Sequence, residues 1–374
     1  MSEWKEYKLG EVCSFVKDKI PIRDVNANVY ISTENMLPDK GGITLSSAVP
    51  SEGMVTHYYP ETILISNIRP YFKKIWFSES EGGCSNDVLC FKGNDGLINS
   101  KFLYYLLSQD AFFEYVMLGS KGCKMPRGDK DHIMKWNVLL PPIEEQKRIA
   151  GVLSSLDDKI DLLNRENATL EALAETLFRH YFIENPDPDW KEGKLRDEFI
   201  FTMGQSPSGD SFNEDGIGIP MYQGNADFGF RFPTRRVYTT APTRFAEEND
   251  TLISVRAPVG AQNMASEKCC IGRGVAAFRY KHNKEYYSYT YYKLKSLLEE
   301  IKSFNDNGTV FGSISKSDFE NLDIVIPDDE VIKMFQKQVK VIDDKIINNN
   351  NEIQTLIQTR DGLLPKLMSN EINI

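Results

Sequence analysis

The chain repeats itself. Trp4-Lys5-Glu6-Tyr7-Lys8-Leu9 returns 186 residues later as Trp190-Lys191-Glu192-Gly193-Lys194-Leu195, and Asp157-Asp158-Lys159-Ile160 returns at the same offset as Asp343-Asp344-Lys345-Ile346. Between these anchors the offset drifts by only one to three residues. Leu64-Ile65-Ser66 with Pro70 resembles Leu252-Ile253-Ser254 with Pro258, and Tyr104-Tyr105 resembles Tyr291-Tyr292. Repetition on this scale fixes the organisation before any element is assigned, because each copy is one folding unit and the two share one architecture.

Each copy changes character part-way. Its first part is rich in Gly, Pro, aromatics and short β-like runs, ending in Asn137-Val138-Leu139-Leu140-Pro141 or Asp323-Ile324-Val325-Ile326-Pro327, an apolar run stopped by proline. Its second part is helical. Pro142 with Glu144 and Glu145 marks a helix N-terminus, where the peptide dipoles favour anions. Steps of four and three then link Ile149, Leu153, Leu156, Ile160, Leu163, Asn167, Leu170, Ala174, Leu177 and Tyr181. That is the spacing of a coiled-coil seam. The same frame in the second copy gives Phe335, Val339, Ile342, Ile346, Asn349, Ile353, Leu356, Arg360, Leu363 and Leu367.

An isolated amphipathic stripe usually buries its face on its own domain. Two long helices sharing one frame point instead to each other. Antiparallel pairing with a register centred near positions 165 and 351 sets Asn167 against Asn349, Ile160 against Leu356 and Leu170 against Ile346, and leaves Arg360 close to Leu156. A buried Asn pair specifies register at a cost in stability. Gly362 and Pro365 are expected to end or kink the second helix. A helix over 143–182 is about 60 Å long, close to two turns of B-DNA at about 34 Å each.

The expected fold is therefore α+β: two similar mixed α/β domains separated by a long antiparallel two-helix coiled coil, with a pseudo-two-fold internal repeat. The expected partition is 1–142 and 185–328 for the globules, 143–184 and 329–374 for the helical regions.

Composition narrows the function. A net charge of −10 argues against a protein that coats nucleic acid over its whole surface, so any DNA-facing surface must be local. Six cysteines form no CxxC pair and four histidines lie without ligand spacing, so reduced thiols and no metal are expected. No apolar run reaches membrane-spanning length and the start lacks a secretory apolar region, which suits a cytoplasmic protein.

Two unlike readers on a rigid spacer present similar faces to an asymmetric site, as a dimer does to a palindrome. Here the residues also carry a resemblance. Leu140-Pro141-Pro142-Ile143-Glu144-Glu145-Gln146-Lys147-Arg148-Ile149-Ala150 is similar to the opening of the central conserved region of type I restriction-modification specificity subunits. Leu177 to Phe182, Arg360 to Leu367, Gly204 to Gly209, Ala257-Pro258-Val259-Gly260 and Ile271-Gly272-Arg273-Gly274 resemble the same family. The resemblance implies a non-catalytic subunit with two target-recognition domains that read an asymmetric bipartite site. It also implies helical regions that bind two methyltransferase subunits and, through them, the restriction and translocase subunits. S-adenosylmethionine, ATP and Mg are then expected on those partners. The second copy lacks the Gln of the family opening, which leaves its partner contacts less well defined.

Local charge runs against the global sign. Met117 to Trp136, which holds Lys121, Lys124 and Arg127, has a balance of +3, as does Asp250 to Glu285 with Arg256 and Arg273. Arg69, Lys73 and Lys74 follow the anchor strand of the first copy as Arg256 follows that of the second, positions suited to phosphate contacts. Gly-rich stretches allow close backbone approach, and Gln205, Ser206 and Gln223 suit base edges. For any one of these residues a solvated-loop role is as natural.

Enzyme readings fail on their motifs. Asn185-Pro186-Asp187-Pro188 is not the Pro-Pro-aromatic turn of an adenine methyltransferase, and no GxxxxGK[ST] phosphate loop occurs. Pro186-Asp187 with Glu192-Gly193-Lys194 mimics a nuclease site but belongs to a repeated domain start. A fused nuclease-methyltransferase fragment would carry catalytic domains in the same reading frame. The remaining alternative is a coiled-coil adaptor whose globules bind non-DNA ligands.

Overall fold

The computed structural model describes residues 4–122, 124–306 and 313–372. The chain divides into two compact units, Met1–Leu163 with Asn351–Ile374, and Asn164–Asn350. The division falls inside both long helices, because each globule takes part of each helix into its own core.

In the first unit, strand Lys5–Lys8 pairs antiparallel with Asn137–Leu140, Lys5 opposite Leu140. A four-stranded sheet follows in the order Cys13–Phe15, Val88–Gly93, Ile63–Ser66, Ile75–Phe77, and a second has the order Lys19–Pro21, Met54–Tyr58, Gly82–Cys84, Tyr30–Ile31. Helix Ser100–Leu107 covers the first sheet and helix Asp110–Leu118 packs beside it, and Leu9, Phe91, Phe102 and Phe112 belong to a core that also takes in Ile149, Leu153, Leu364 and Leu367.

The second unit repeats the plan. Lys191–Lys194 pairs with Asp323–Ile326, Lys191 opposite Ile326, the same register 186 residues on. Its four-stranded sheet runs Phe199–Met203, Val275–Tyr280, Thr251–Ser254, Gln262–Met264, and its other sheet has five strands. Phe199, Phe278, Tyr289 and Phe319 build the core, joined by Ala174, Phe178, Phe335, Val339 and Ile346 from the helices.

The first long helix runs Ile143–Arg179 and closes in a π-helical turn, His180–Glu184; the second runs Asp329–Met368. Within the first unit Ile160 and Leu163 pack on Ile353, with Leu356 and Ile357 alongside, while Lys159 pairs with Glu352 at 3.3 Å. Within the second unit Asn349 Nδ2 donates to Asn167 Oδ1 at 2.9 Å, both side chains buried, and Lys345 pairs with Glu166 at 3.5 Å. The register centred near 165 and 351 requires this Asn–Asn contact. The two Lys–Glu pairs are the same pair in the two copies.

One expectation is corrected here, and Arg360 finds a partner. The second helix does not stop at Gly362 or Pro365 but continues to Met368. Pro365 removes one backbone donor, yet Leu364, Leu367 and Met368 on the inner face are all buried in the first core, and that burial offsets the lost bond. Gly362 faces open space, where helical glycine costs only about 1 kcal/mol. Arg360, awkward beside Leu156 in the seam, turns to Asp157, its Nη1 2.8 Å from Oδ1. Burial opposes its charge, but Asp157 and Asp361 more than compensate and hold its pKa above the usual arginine value.

Candidate nucleic-acid interface

The first unit stitches two of its loops together. Arg69 N donates to Pro126 O, Gly128 N to Asn67 O, and Lys121 and Arg127 exchange backbone bonds. Arg69 and Lys73 both take left-handed backbone, φ 51° and 50°, around the turn Pro70–Phe72. Arg69, Lys121 and Arg127 thus share one rim. Lys121 is engaged by Asp129, whose carboxyl is pulled down to about 2 by that lysine and by the His132 backbone N–H; Arg127 pairs with Asp87 at 3.1 Å.

Lys73 and Lys74 are not free cations. Lys73 and Lys40 share Asp110 at 3.0 and 3.1 Å. Lys74 Nζ donates to Thr33 O at 2.7 Å, and burial lowers its pKa against the pull of Glu34. Among the described residues, Arg69 and exposed Lys124 keep cationic side chains without an ion-pair partner. Cys123 lies outside the described residues; the other five cysteines are buried and free.

The second unit gathers its candidates more tightly. Gln205 N donates to Ile271 O, Arg273 N to Ser206 Oγ, and Gly272 N to Tyr222 O, which brings Gln205, Ser206, Gln223 and Arg273 together. Two glycines make this possible. A Cβ on Gly204 would lie 2.2 Å from Gly272 O, and one on Gly274 would lie 2.1 Å from Gln223 O. Arg256 is close in the chain network, since Val255 N donates to Gly274 O. Arg256, Arg273, Gln205 and Gln223 are exposed, and neither arginine has an ion-pair partner among the described residues.

Beside this cluster opens a cleft of about 670 Å³, lined in part by Asn213, Glu214, Gln223, Asn225 and Arg236. Buried Asp227 braces its wall, accepting from Gln223 N at 2.7 Å and Arg236 Nη2 at 3.0 Å. Asn213, Asn225 and Arg236 were not among the sequence candidates. The Arg235-Arg236 pair was the available signal, but it lies outside the stretch whose charge balance stood out. Conversely, part of that +3 balance is neutralised from outside the stretch, since Lys268 pairs with Glu247, while Arg279 is held by Asp250 at 2.6 and 2.7 Å and is not available to DNA.

The glutamine of the helix opening is internal. Gln146, 1% exposed, accepts from Asn99 N and donates to Leu97 O and Pro141 O, holding the start of helix Ser100–Leu107. The second copy does this one turn later, where Gln336 accepts from Ser288 N and Tyr289 N. The missing Gln therefore records a moved brace.

Among the described residues no helix is long and apolar enough to cross a membrane, and no group of three His, Cys, Asp or Glu is placed to hold a metal. Comparison with known proteins agrees with the duplicated architecture. Residues 1–172 and 188–359 each match the family described as type I restriction modification DNA specificity domain. A Methanocaldococcus jannaschii protein assigned as the MjaX type I restriction enzyme specificity subunit is 31% identical over 307 residues, 77% of this chain and 72% of that one. The HindI type I restriction enzyme specificity subunit of Haemophilus influenzae is 22% identical over the full length of both. The fold matches that of the type I restriction-modification S subunit from M. genitalium with a TM-score of 0.62, at 18% identity and covering 98% of this chain and 96% of that one. Matched in both of its copies, the chain belongs to the type I restriction-modification DNA specificity family, as a DNA-binding, non-catalytic specificity subunit.

Proposed function

We propose that the chain reads an asymmetric, two-part DNA sequence, one half-site per globule, across an unread spacer. In this reading residues 1–142 and 185–328 are the target-recognition domains. Regions 143–184 and 329–374 seat two methyltransferase subunits and, through them, the restriction and translocase subunits in a cytoplasmic complex. S-adenosylmethionine, ATP and Mg²⁺ belong to those partners.

The observation that carries the reading is a contrast between what the copies share and what they do not. They share the strand order of one four-stranded sheet, the register of the strand pair that opens and closes each globule, and the Lys–Glu pairs of the helices. They also share exposed features that folding does not demand: apolar Leu139 and Val325 at equivalent positions, and the pairs Lys147–Glu144 and Lys333–Glu330 at the helix starts. A repeated exposed feature suits a partner bound twice. Arg69 and Arg256 follow equivalent strands, but the loops around Lys121, Lys124 and Arg127 differ in sequence from those around Gln205, Ser206, Gln223 and Arg273, as suits readers of different half-sites.

The test is co-expression with the methyltransferase partner, methylome sequencing to find the modified site, and binding to that duplex. One bipartite motif and a steep salt dependence are expected. Reversing the charge of Arg256 and Arg273 should weaken binding to all duplexes and flatten the salt slope. Salt-insensitive binding, or none, would instead favour an adaptor for non-DNA ligands.

A further inference from the structure

Among the described residues Arg231 is the largest fully buried side chain, 2% exposed, and it is an arginine carried by the cleft loop. Its Nη2 donates to Asp343 Oδ1 at 2.7 Å, its Nη1 to the Tyr292 hydroxyl at 3.2 Å, and Glu171 Oε2 lies 3.8 Å away. The guanidinium carbon sits 3.5 Å over the Tyr291 ring. Asp343 belongs to the second long helix and Glu171 to the first, so one loop side chain grips both helices of its unit. Four residues back, Asp227 holds Gln223 and Arg236 in the cleft wall.

The first copy answers the same carboxylate differently. Asp157, the equivalent of Asp343, accepts from the Tyr105 hydroxyl at 2.6 Å and from Arg360, which is part of the helix pair itself. The position equivalent to Arg360 is Ala174, fully buried and without a charge, so in the second copy the cation on the aspartate comes from the globule instead of the helix pair. A buried ion pair is a weak source of stability compared with apolar packing; what an arginine forked between Asp343 and the Tyr292 hydroxyl supplies is a single geometry.

We propose that Arg231 is a positioning residue, which fixes the cleft loop of the second globule in one orientation on the helix pair and thereby sharpens discrimination of spacer length. This rests on the two-part reading above. Asp343, Glu171 and the Tyr291–Tyr292 shelf are its fixed partners.

The experiment uses the full chain with its methyltransferase partner and duplexes carrying the methylome-defined site with the spacer native, one base pair shorter or one longer. Wild type is expected to prefer the native spacer by about tenfold or more, in line with the penalty for one altered position. Arg231→Met/Asp343→Leu, which replaces the ion pair by apolar groups, should keep the base preferences of the second half-site but reduce spacer discrimination to about threefold or less. Arg231→Lys, which keeps the charge without the fork, should fall between, and carries the test if the double variant does not fold. Undiminished spacer discrimination in a folded variant, or an equal loss on every duplex, overturns the proposal. Wild-type binding without any bipartite preference defeats the two-part reading itself.

Discussion

The two copies solve the same packing problem with different chemistry. In the first, Val12 and Leu106 are buried apolar residues; at the equivalent positions the second buries Glu198 and Lys293. In the first, Asp157 is answered by a partly exposed arginine of the helix; in the second, Asp343 is answered by a buried arginine of the globule. The core of the backbone plan is indifferent to these exchanges, since one four-stranded sheet keeps its order and the terminal strand pair keeps its register. A fold of this kind is specified by where apolar faces and turns fall, while buried polar groups are local additions that must each find a partner.

The largest difference is expected at the arginines. Arg231→Ala leaves buried Asp343 without its cation, while Glu171 keeps Lys295, and opens a cavity; it should destabilise the second unit by about 3–5 kcal/mol. Arg360→Ala in the first unit should cost about 1–2 kcal/mol, because Asp157 keeps the Tyr105 hydroxyl and water reaches the site. Amide hydrogen exchange resolved by peptide would separate the two units. Equal losses in both would break the comparison.

Next comes Glu198. Burial lifts its pKa to about 7, against the pull of Lys293 and of the Tyr289 hydroxyl that donates to it at 2.6 Å. A carboxyl whose folded pKa is raised contributes stability that is complete below its unfolded value near 4.5 and lost as pH climbs through about 7. The second unit should therefore lose stability between pH 4.5 and 7 from this group, and Glu198→Gln, which keeps an acceptor for the Tyr289 hydroxyl, should remove that slope. Transplanting the first copy's pair, Glu198→Val with Lys293→Leu, should be neutral or stabilising by about 1–4 kcal/mol, whereas Glu198→Val alone strands Lys293 and destabilises. Urea unfolding across pH distinguishes these; a slope unchanged in Glu198→Gln would contradict the assignment.

Much of the architecture was legible because periodicity and repetition are long-range signals. Ile160 and Leu163 against Ile353 needed only spacing, and Asn167 opposite Asn349 needed only that the two polar breaks coincide, whereas Leu153, Val339 and Ile346 of the same frame are taken into the globule cores. What stayed hidden depends on partners remote in sequence. Nothing near Lys73 announces Asp110, nothing near Arg231 announces Asp343, and Gln146 reads as a surface motif until Asn99 is placed beside it. The helix end was misjudged at Pro365 because local propensity was weighed without the core that Leu364 and Leu367 enter. In the candidate interface, glycines marked the second cluster well, whereas charge counting overrated cations already paired.

A middle-sized effect is expected at the asparagines. Asn349 donates both to Asn167 and to Glu166, so Asn349→Ala should cost about 1–3 kcal/mol by leaving a buried amide oxygen unpaired. Replacing both asparagines by leucine should raise the melting temperature while loosening register. Cysteines at 167 and 349 should close a disulfide on oxidation in the wild-type background; failure to crosslink would reject the register.

The smallest effect sharpens the comparison most cleanly, because it concerns one atom. Trp4 and Trp190 open the two copies at equivalent positions. Trp4 Nε1 donates to Glu145 at 3.3 Å, whereas Trp190 Nε1 is buried without an acceptor, since Val331 stands where the first copy has Glu145. An unmet buried donor costs about 1–3 kcal/mol, part of which Val331→Glu should recover, about 1 kcal/mol. A carboxylate in the first helical turn also gains from the helix dipole, so the single variant is ambiguous. The double-mutant cycle with Trp190→Phe removes the ambiguity: the dipole gain survives loss of the indole, whereas the hydrogen-bond gain does not. Additive changes in thermal melts would mean that Val331→Glu acts through the dipole alone and that the orphaned indole is not what distinguishes the second opening from the first.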